Sequence, residues 1–185
     1  GWNSGMDFNA TFKDAKGKPL SNTEINFKIN DKTYNIKTNE MGVAVLNEKL
    51  AVGNYVVISI NPVTGEQSSN NLSIVKRILN NKDITMDYYS GVYFKVKAIG
   101  DDGKAAHAGE TVYIKVNGKT YSCKTDSKGI AKLIIRLKPK SYTITAKYKG
   151  FKTKNKLVVK QILKSSNVKV KKSAKKLVLK AKLLI

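Results

Sequence analysis

The chain is poor in the residues that carry most chemistry. Its 185 residues include one cysteine, one histidine, three prolines and two arginines, Arg77 and Arg136. Because Cys123 stands alone, no internal disulfide is possible. It falls at an alternating position in Y-S-C-K-T, where a small buried hydrophobe is expected and not a reactive thiol. His107 lies in the loop-like stretch A-A-H-A-G-E, and the 13 carboxylates are thinly spread. No acid, base and nucleophile converge, so neither catalytic residues nor a cofactor is expected. Asp14 and the pair Asp101-Asp102 mark equivalent turns, where Asp bonds its own backbone. They supply too few oxygens for a calcium site, and no metal site is expected. No apolar run is long enough to span a bilayer, so this segment is not expected to insert in a membrane. The opening G-W-N-S-G lacks the basic start and apolar body of a signal peptide. The chain reads as an excerpt of a longer protein whose signal and anchor lie elsewhere.

Lysine, by contrast, is abundant. It supplies 33 of the 35 basic residues, and the formal net charge is +22. Residues 1–80 carry 9 basic and 7 acidic side chains, residues 81–164 carry 19 and 6, and residues 165–185 carry 7 and none. The positive excess therefore lies in the second half, and a field of that size concentrates polyanions.

The organising feature is a repeat. T-N-E-M-G-V-A-V-L-N-E-K-L-A-V-G-N-Y at residues 38–55 returns as T-D-S-K-G-I-A-K-L-I-I-R-L-K-P-K-S-Y at 125–142. Each copy has a polar turn whose glycine, Gly42 or Gly129, needs positive φ, then a strand of alternating apolar residues, then Tyr55 or Tyr142 after a turn. The flanks repeat as well. Ile25, Phe27 and Ile29 alternate before a turn at Asn30-Asp31-Lys32, and Val116, Asn117 and Tyr121 align with Ile29, Asn30 and Tyr34. Asn117-Gly118 is a strong type I′ hairpin signal. N-L-S-I-V-K-R-I-L is expected to close the first repeat as a strand, and Ile84, Met86 and Tyr88 to open the second. The last 21 residues match that opening in position and alternation, as the first two strands of a truncated third repeat; a basic amphipathic helix is the alternative for this lysine-rich tail.

About seven short alternating strands per roughly 85 residues, with turn signals every 8 to 12 residues and no helical periodicity, predict an all-β chain of two tandem Ig-like β-sandwich domains. The repeats span residues 1–80 and 81–164, followed by a basic tail at 165–185. Tyr55 and Tyr142 are expected to turn their rings inward while their hydroxyls bond a loop backbone.

These residues resemble a known family. D-A-K-G-K-P-L, T-N-E-M-G-V-A-V-L, G-N-Y and P-V-T-G-E-Q, with D-D-G-K, N-G-K-T-Y, T-D-S-K-G-I-A-K-L and S-Y-T-I-T-A, are similar to the tandem bacterial-type Ig-like repeats of adhesin-like surface proteins from methanogenic archaea. The likeness covers nearly the whole chain. It implies an extracellular stalk or binding region, repeated in a long secreted polypeptide tied to the cell envelope, and it carries over no ligand-binding residues. The motifs also resemble the broader carboxypeptidase-regulatory-like and prealbumin-like sandwiches. Some pilin-type members of that group form a Lys-to-Asn isopeptide bond assisted by a buried acid. Lys13 with Asn70 or Asn71 would be the partners here, but neither Y-V-V-I-S-I-N nor Y-T-I-T-A-K contains a Glu, so that bond is not expected.

Two functional expectations follow. The first is a non-enzymatic, adhesin-like module of the cell surface, meeting an envelope glycan or polymer or another cell's surface protein. The second is a binding module that grips anionic cell-wall polymer or glycan through the lysine-rich second repeat and tail. Its candidate residues are Lys147, Lys149, Lys152, Lys154 and Lys156, then Lys169, Lys171, Lys172, Lys175 and Lys176. The competing reading is that these lysines only line solvent faces and protect strand edges. Specific nucleic-acid recognition is disfavoured, because base readout leans on arginine forks and exposed aromatics. Asn9-Ala10-Thr11 and Asn71-Leu72-Ser73 are short sequons compatible with glycosylation at Asn9 and Asn71. The sequence leaves the oligomeric state open.

Overall fold

The structure, a computed structural model, describes residues 1–5, 7–165, 167 and 180–183. The protein is all-β: among the described residues every regular element is a strand. The strands fall into two units, Gly1–Arg77 with Ile99–Ala106, and Ile78–Ala98 with His107–Ile185.

Unit 1 contains β1 (Phe8–Thr11), β2 (Glu24–Ile29), β3 (Lys32–Lys37), β4 (Val43–Leu46), β5 (Gly53–Ile60) and β6 (Gln67–Ile74). Strands β1 and β4 form one antiparallel sheet; the other has the order β3-β2-β5-β6. Alternation decides what each strand buries. Ile25, Phe27 and Ile29 of β2 point inward, where they meet Phe12, Ala44, Leu46 and Val57 in a common core. Phe27 is fully buried, with Phe8 and Phe12 packed edge-on against it at 5.5 and 6.1 Å between ring centres. Burying a ring of that size contributes about 2–3 kcal/mol.

Unit 2 contains β7 (Ile78–Leu79), β8 (Ile84–Asp87), β9 (Tyr93–Ala98), β10 (Thr111–Val116), β11 (Lys119–Lys124), β12 (Ile130–Ile134), β13 (Lys140–Tyr148), β14 (Phe151–Lys160), β15 (Leu163–Ser165) and β16 (Ala181–Leu183). Its sheets have the orders β12-β9-β7 and β11-β10-β13-β14-β8, and β15 pairs with β16. Inward residues from both larger sheets are buried, among them Phe94, Val96 and Ala131 from one and Val112, Ile114, Ile144 and Leu157 from the other.

The turn chemistry follows the repeat. Gly42 and Gly129 have φ of 73° and 72°. A Cβ on Gly42 would lie 2.5 Å from the Phe12 carbonyl, so any side chain there is excluded. In front of each glycine, Asn39 Oδ1 accepts the N–H groups of Met41 and Val43, and Asp126 Oδ1 those of Lys128 and Ile130. Thr38 and Thr125 are buried, and their hydroxyls bond the carbonyls of Leu20 and His107. Asn117 and Gly118 both have positive φ, as the hairpin signal requires. The hydroxyls of Tyr55 and Tyr142 donate to the carbonyls of Ala51 and Lys138, each at 2.9 Å.

One element differs from expectation. N-L-S-I-V-K-R-I-L is not one strand: β6 ends at Ile74, and Ile78 and Leu79 pair instead with Ala98 and Lys97 of β9. The break has a physical cause in Arg77, which is 1% exposed. Its guanidinium donates to the carbonyls of Trp2 and Ile99 and lies 2.6 Å from Asp101 Oδ1, an anchor that an alternating strand would not hold. The segment carrying Ile84 and Met86 forms the expected strand of the second unit, ending at Asp87, and pairs with β14 in parallel, Ile84 opposite Leu157 and Met86 opposite Val159.

Candidate functional site

The largest sheet of unit 2 presents a basic outer face. Val112, Ile114 and Val116 of β10, Ile144, Ala146 and Tyr148 of β13, and Leu157 and Val159 of β14 are buried, so the residues between them point to solvent. On that side β14 carries Lys152, Lys154 and Lys156 and β13 carries Lys147, all exposed. Lys147 stands opposite Lys152 on one flank and Tyr113 on the other, and Thr145 stands between Lys154 and Lys115. The strands β10, β11, β13 and β14 contain no Asp or Glu.

This arrangement is costly in isolation. Outward lysines two residues apart along β14 are separated by about 6.8 Å at the base. Unit charges at that distance repel by roughly 0.6 kcal/mol in water. Directly opposed like charges, as at Lys147 and Lys152, destabilise a sheet further. A polyanion laid across the strands relieves all of these repulsions together.

Four of the ten candidate lysines thus share one face. Lys149 is placed differently, in the turn between β13 and β14, with its Nζ 3.9 Å from Glu110 and 5.8 Å from the centre of the Tyr148 ring. Glu110 also accepts the Tyr148 hydroxyl at 2.6 Å and the His107 N–H at 3.0 Å. Lys169, Lys171, Lys172, Lys175 and Lys176 lie outside the described residues. The register adds members that charge runs along the chain do not reveal. Lys115 and the 49% exposed Tyr113 lie on the same face, as does Lys124, whose Nζ donates to Thr111 Oγ1 at 2.7 Å. The signal was present in T-V-Y-I-K-V, whose alternation places Tyr113 and Lys115 opposite the buried valines.

The other singled-out residues take local roles. His107 is exposed. Cys123 is buried, and burial pushes its thiol pKa up, which disfavours the reactive thiolate. Asp102 Oδ1 accepts the Lys104 N–H and Asp14 Oδ1 accepts those of Lys16 and Lys18. Among the described residues no group of three or more His, Cys, Asp or Glu could hold a metal ion. Asn9 and Asn71 are exposed on β1 and β6. Lys13 is exposed beside its bridge to Pro19, and its carbonyl accepts from Asn61 Nδ2 at 2.8 Å. Sequence reasoning passed over a concavity of about 570 Å³ lined by Tyr88, Tyr89 and Arg136. Tyr89 is 82% exposed at φ 65°, a conformation that is costly for a bulky residue.

No protein-family model and no curated protein sequence matches the chain. Among solved structures it is similar to a protein of the Bacteroides ovatus mixed-linkage glucan utilization locus in complex with a mixed-linkage heptasaccharide, at 11% identity and TM-score 0.32, over 89% of this chain and 44% of that one. It is similar to domains 4 and 5 of the S-layer protein SbsC at 14% identity and TM-score 0.33, over 62% and 69% of the two chains. A third likeness is to the fibronectin(III)-like modules of Clostridium thermocellum CbhA, at 16% identity and TM-score 0.28, over 85% and 87%. This chain thus spans less than half the length of the first of these proteins.

Proposed function

We propose that the chain is a non-enzymatic module of a cell-surface protein, built from tandem Ig-like repeats over residues 1–80 and 81–164 with a third beginning at 165, and that its second repeat holds anionic envelope polymer or glycan. The supporting observation is the face of Lys147, Lys152, Lys154 and Lys156, extended by Lys115 and Lys124, on four strands without a carboxylate. A lysine-studded sheet with interspersed threonines reads charge density and not base edges, which favours a carboxylated or sulfated polymer over a nucleic-acid sequence. The repeats act as scaffold, and their surface location follows the resemblance to adhesin-like proteins. Glycosylation of the exposed sequons at Asn9 and Asn71 belongs to the same proposal.

Heparin affinity chromatography of the intact chain tests it, since heparin is a soluble anionic polysaccharide. Retention should fall steeply as salt rises, because exposed charges are screened within about 8–10 Å near physiological ionic strength. The variant Lys152→Gln, Lys154→Ser, Lys156→Asn should elute at clearly lower salt. Elution of that variant at the same salt as the parent overturns the assignment of the face, and a duplex-DNA mobility shift surviving physiological salt would move the ligand class to nucleic acid.

A further inference from the structure

We infer that unit 2 carries a second glycan site, a concavity at the end of β14 away from Lys152, which takes one hexuronic acid residue with its ring on Tyr89 and its carboxylate on Arg136. The inference shares the glycan class proposed for the lysine face but rests on a different set of side chains.

The concavity has a volume of about 570 Å³, the size of a small-ligand site. One wall is the turn after β8. The Tyr88 N–H donates to the carbonyl of Lys160, the last residue of β14, at 3.0 Å, and the Ser90 N–H and Oγ close the turn on the Asp87 carbonyl at 3.2 and 2.8 Å. The other wall is the loop between β12 and β13. It is tied to the first by the Ile135 N–H, which donates to the Val92 carbonyl at 2.9 Å. Backbone hydrogen bonds therefore hold both walls before any ligand arrives.

The repeat shows that Tyr89 is present at a cost. W-N-S-G at residues 2–5 corresponds to Y-Y-S-G at 88–91, and the backbone conformations match: φ is 53° at Asn3 and 65° at Tyr89, 70° at Gly5 and 71° at Gly91. Unit 1 meets the positive φ with asparagine, which tolerates it, whereas a bulky ring is an outlier there. Tyr89 recovers little of that cost by burial, being 82% exposed, with its ring edge-on to Tyr88 at 4.6 Å between centres. A strained residue that adds an exposed ring to a concavity suits a ligand platform, because the C–H face of a pyranose packs on an aromatic ring as other apolar surface does.

Charge names the ligand. Arg136 and Lys138 line the concavity, and no Asp or Glu does. Arg77 is held by three acceptors, but among the described residues neither the Arg136 guanidinium nor the Lys138 amine has a hydrogen-bond or ion-pair partner. A planar guanidinium in that state pairs with a carboxylate through two parallel hydrogen bonds. The equivalent hollow of unit 1, of about 280 Å³, has Lys49 and Ala51 in those places and is also lined by Asp7 and Glu48, so it does not select an anion. An aromatic platform beside a carboxylate clamp is used in full by a uronic acid, and only in part by a neutral hexose or a free phosphate.

Amide NMR of the intact chain, titrated with a galacturonic acid tetramer and separately with the neutral galactose tetramer, tests the site. The amides of Gly91, Ile135 and Leu137 should shift with the acidic tetramer and not with the neutral one. Tyr89→Asn and Arg136→Gln should each weaken that binding about ten-fold or more. Because asparagine suits the turn, Tyr89→Asn should leave the unfolding midpoint unchanged or raise it. A lower midpoint would make the ring structural, and equal shifts with both tetramers would remove the carboxylate clamp; either result, an absence of shifts with the acidic tetramer, or tighter binding of a glutamate tetramer overturns the inference. The Lys152→Gln, Lys154→Ser, Lys156→Asn variant should keep these shifts, and their loss there would move the tetramer to the lysine face and overturn it as well. Heparin retention should be unchanged in Tyr89→Asn, so failure of this site and failure of the lysine face are read separately.

Discussion

The sheet β3-β2-β5-β6 of unit 1 and the strands β11-β10-β13-β14 of unit 2 share a register and differ in what they show to solvent. Ile60, Gln67, Ser69 and Asn71 in the first stand where Lys147, Lys152, Lys154 and Lys156 stand in the second. Inward positions are matched closely: Phe27 opposite Tyr34 corresponds to Ile114 opposite Tyr121, and Tyr55 to Tyr142. One framework thus carries two unrelated surfaces, because a strand's two faces answer to different constraints. The core side must fill space, whereas the outer side is free to acquire charge.

The largest effect should come from breaking what the units share. Phe27→Ala should cost about 3–5 kcal/mol and Ile114→Ala about 2–5 kcal/mol, measured by urea unfolding with hydrogen exchange followed separately in each unit. A cost below that range at Phe27 would mean that the Phe8 and Phe12 contacts do not set the first core.

Exchanging the faces sharpens the comparison from the other side. Replacing Lys152, Lys154 and Lys156 with the glutamine, serine and asparagine found in unit 1 should lower the salt slope of heparin binding by roughly three, with stability changed by no more than about 0.5 kcal/mol. The reciprocal Gln67→Lys, Ser69→Lys and Asn71→Lys exchange should add binding to unit 1. Failure of that gain would locate the binding surface outside these strands.

A smaller effect is expected at the tyrosine corners. Tyr55→Phe and Tyr142→Phe should each cost about 1 kcal/mol, read from the unfolding midpoints of the two units. Equal costs would identify a common structural role, whereas loss of heparin binding in Tyr142→Phe would reveal a ligand role.

The smallest contrast lies in one turn. Asn39 and Asp126 accept equivalent backbone N–H groups, but only Asp126 titrates. The Ile130 N–H foremost, then those of Lys128 and nearby lysine charge, hold its carboxyl below the ordinary aspartate range. With a depressed folded pKa, its contribution is complete above the ordinary carboxylate range and is lost as pH falls through the folded value. Unit 2 should therefore lose some stability on acidification at this turn, and Asp126→Asn should remove that part of the dependence. An unchanged acid profile in Asp126→Asn would show that the carboxylate does not sustain the turn.

Much of this was legible in the chain. Alternation located β2, β5, β10 and β13, the glycine of T-x-x-x-G was correctly assigned positive φ, and both tyrosine hydroxyls find the loop carbonyls expected of them. These features are local, and local patterns are what a sequence displays. The parallel pairing of β8 with β14 was not legible, since alternation says that Ile84 and Met86 share a face but not which strand they join. The break of N-L-S-I-V-K-R-I-L at Arg77 was not legible for a similar reason, since the groups that hold its guanidinium are distant in sequence. At the candidate site, runs of lysine found β13 and β14 but missed Lys115 and Lys124, because charge density across a sheet depends on register and not on sequence proximity.

The anchoring of Arg77 also bears on how such a chain can be cut and recombined. The first unit includes Ile99–Ala106, residues that lie beyond β7, β8 and β9 of the second. A gene fragment ending at Asn80 would encode a complete sequence repeat yet omit Asp101, leaving a buried guanidinium without its carboxylate. The Asp101 side chain is itself 45% exposed, so solvent screening makes the loss smaller than for a fully buried pair, and what remains comes from leaving the buried Arg77 guanidinium short of an acceptor. A truncation that keeps the first unit whole therefore ends downstream of Ala106, beyond the end of the repeat that the sequence displays.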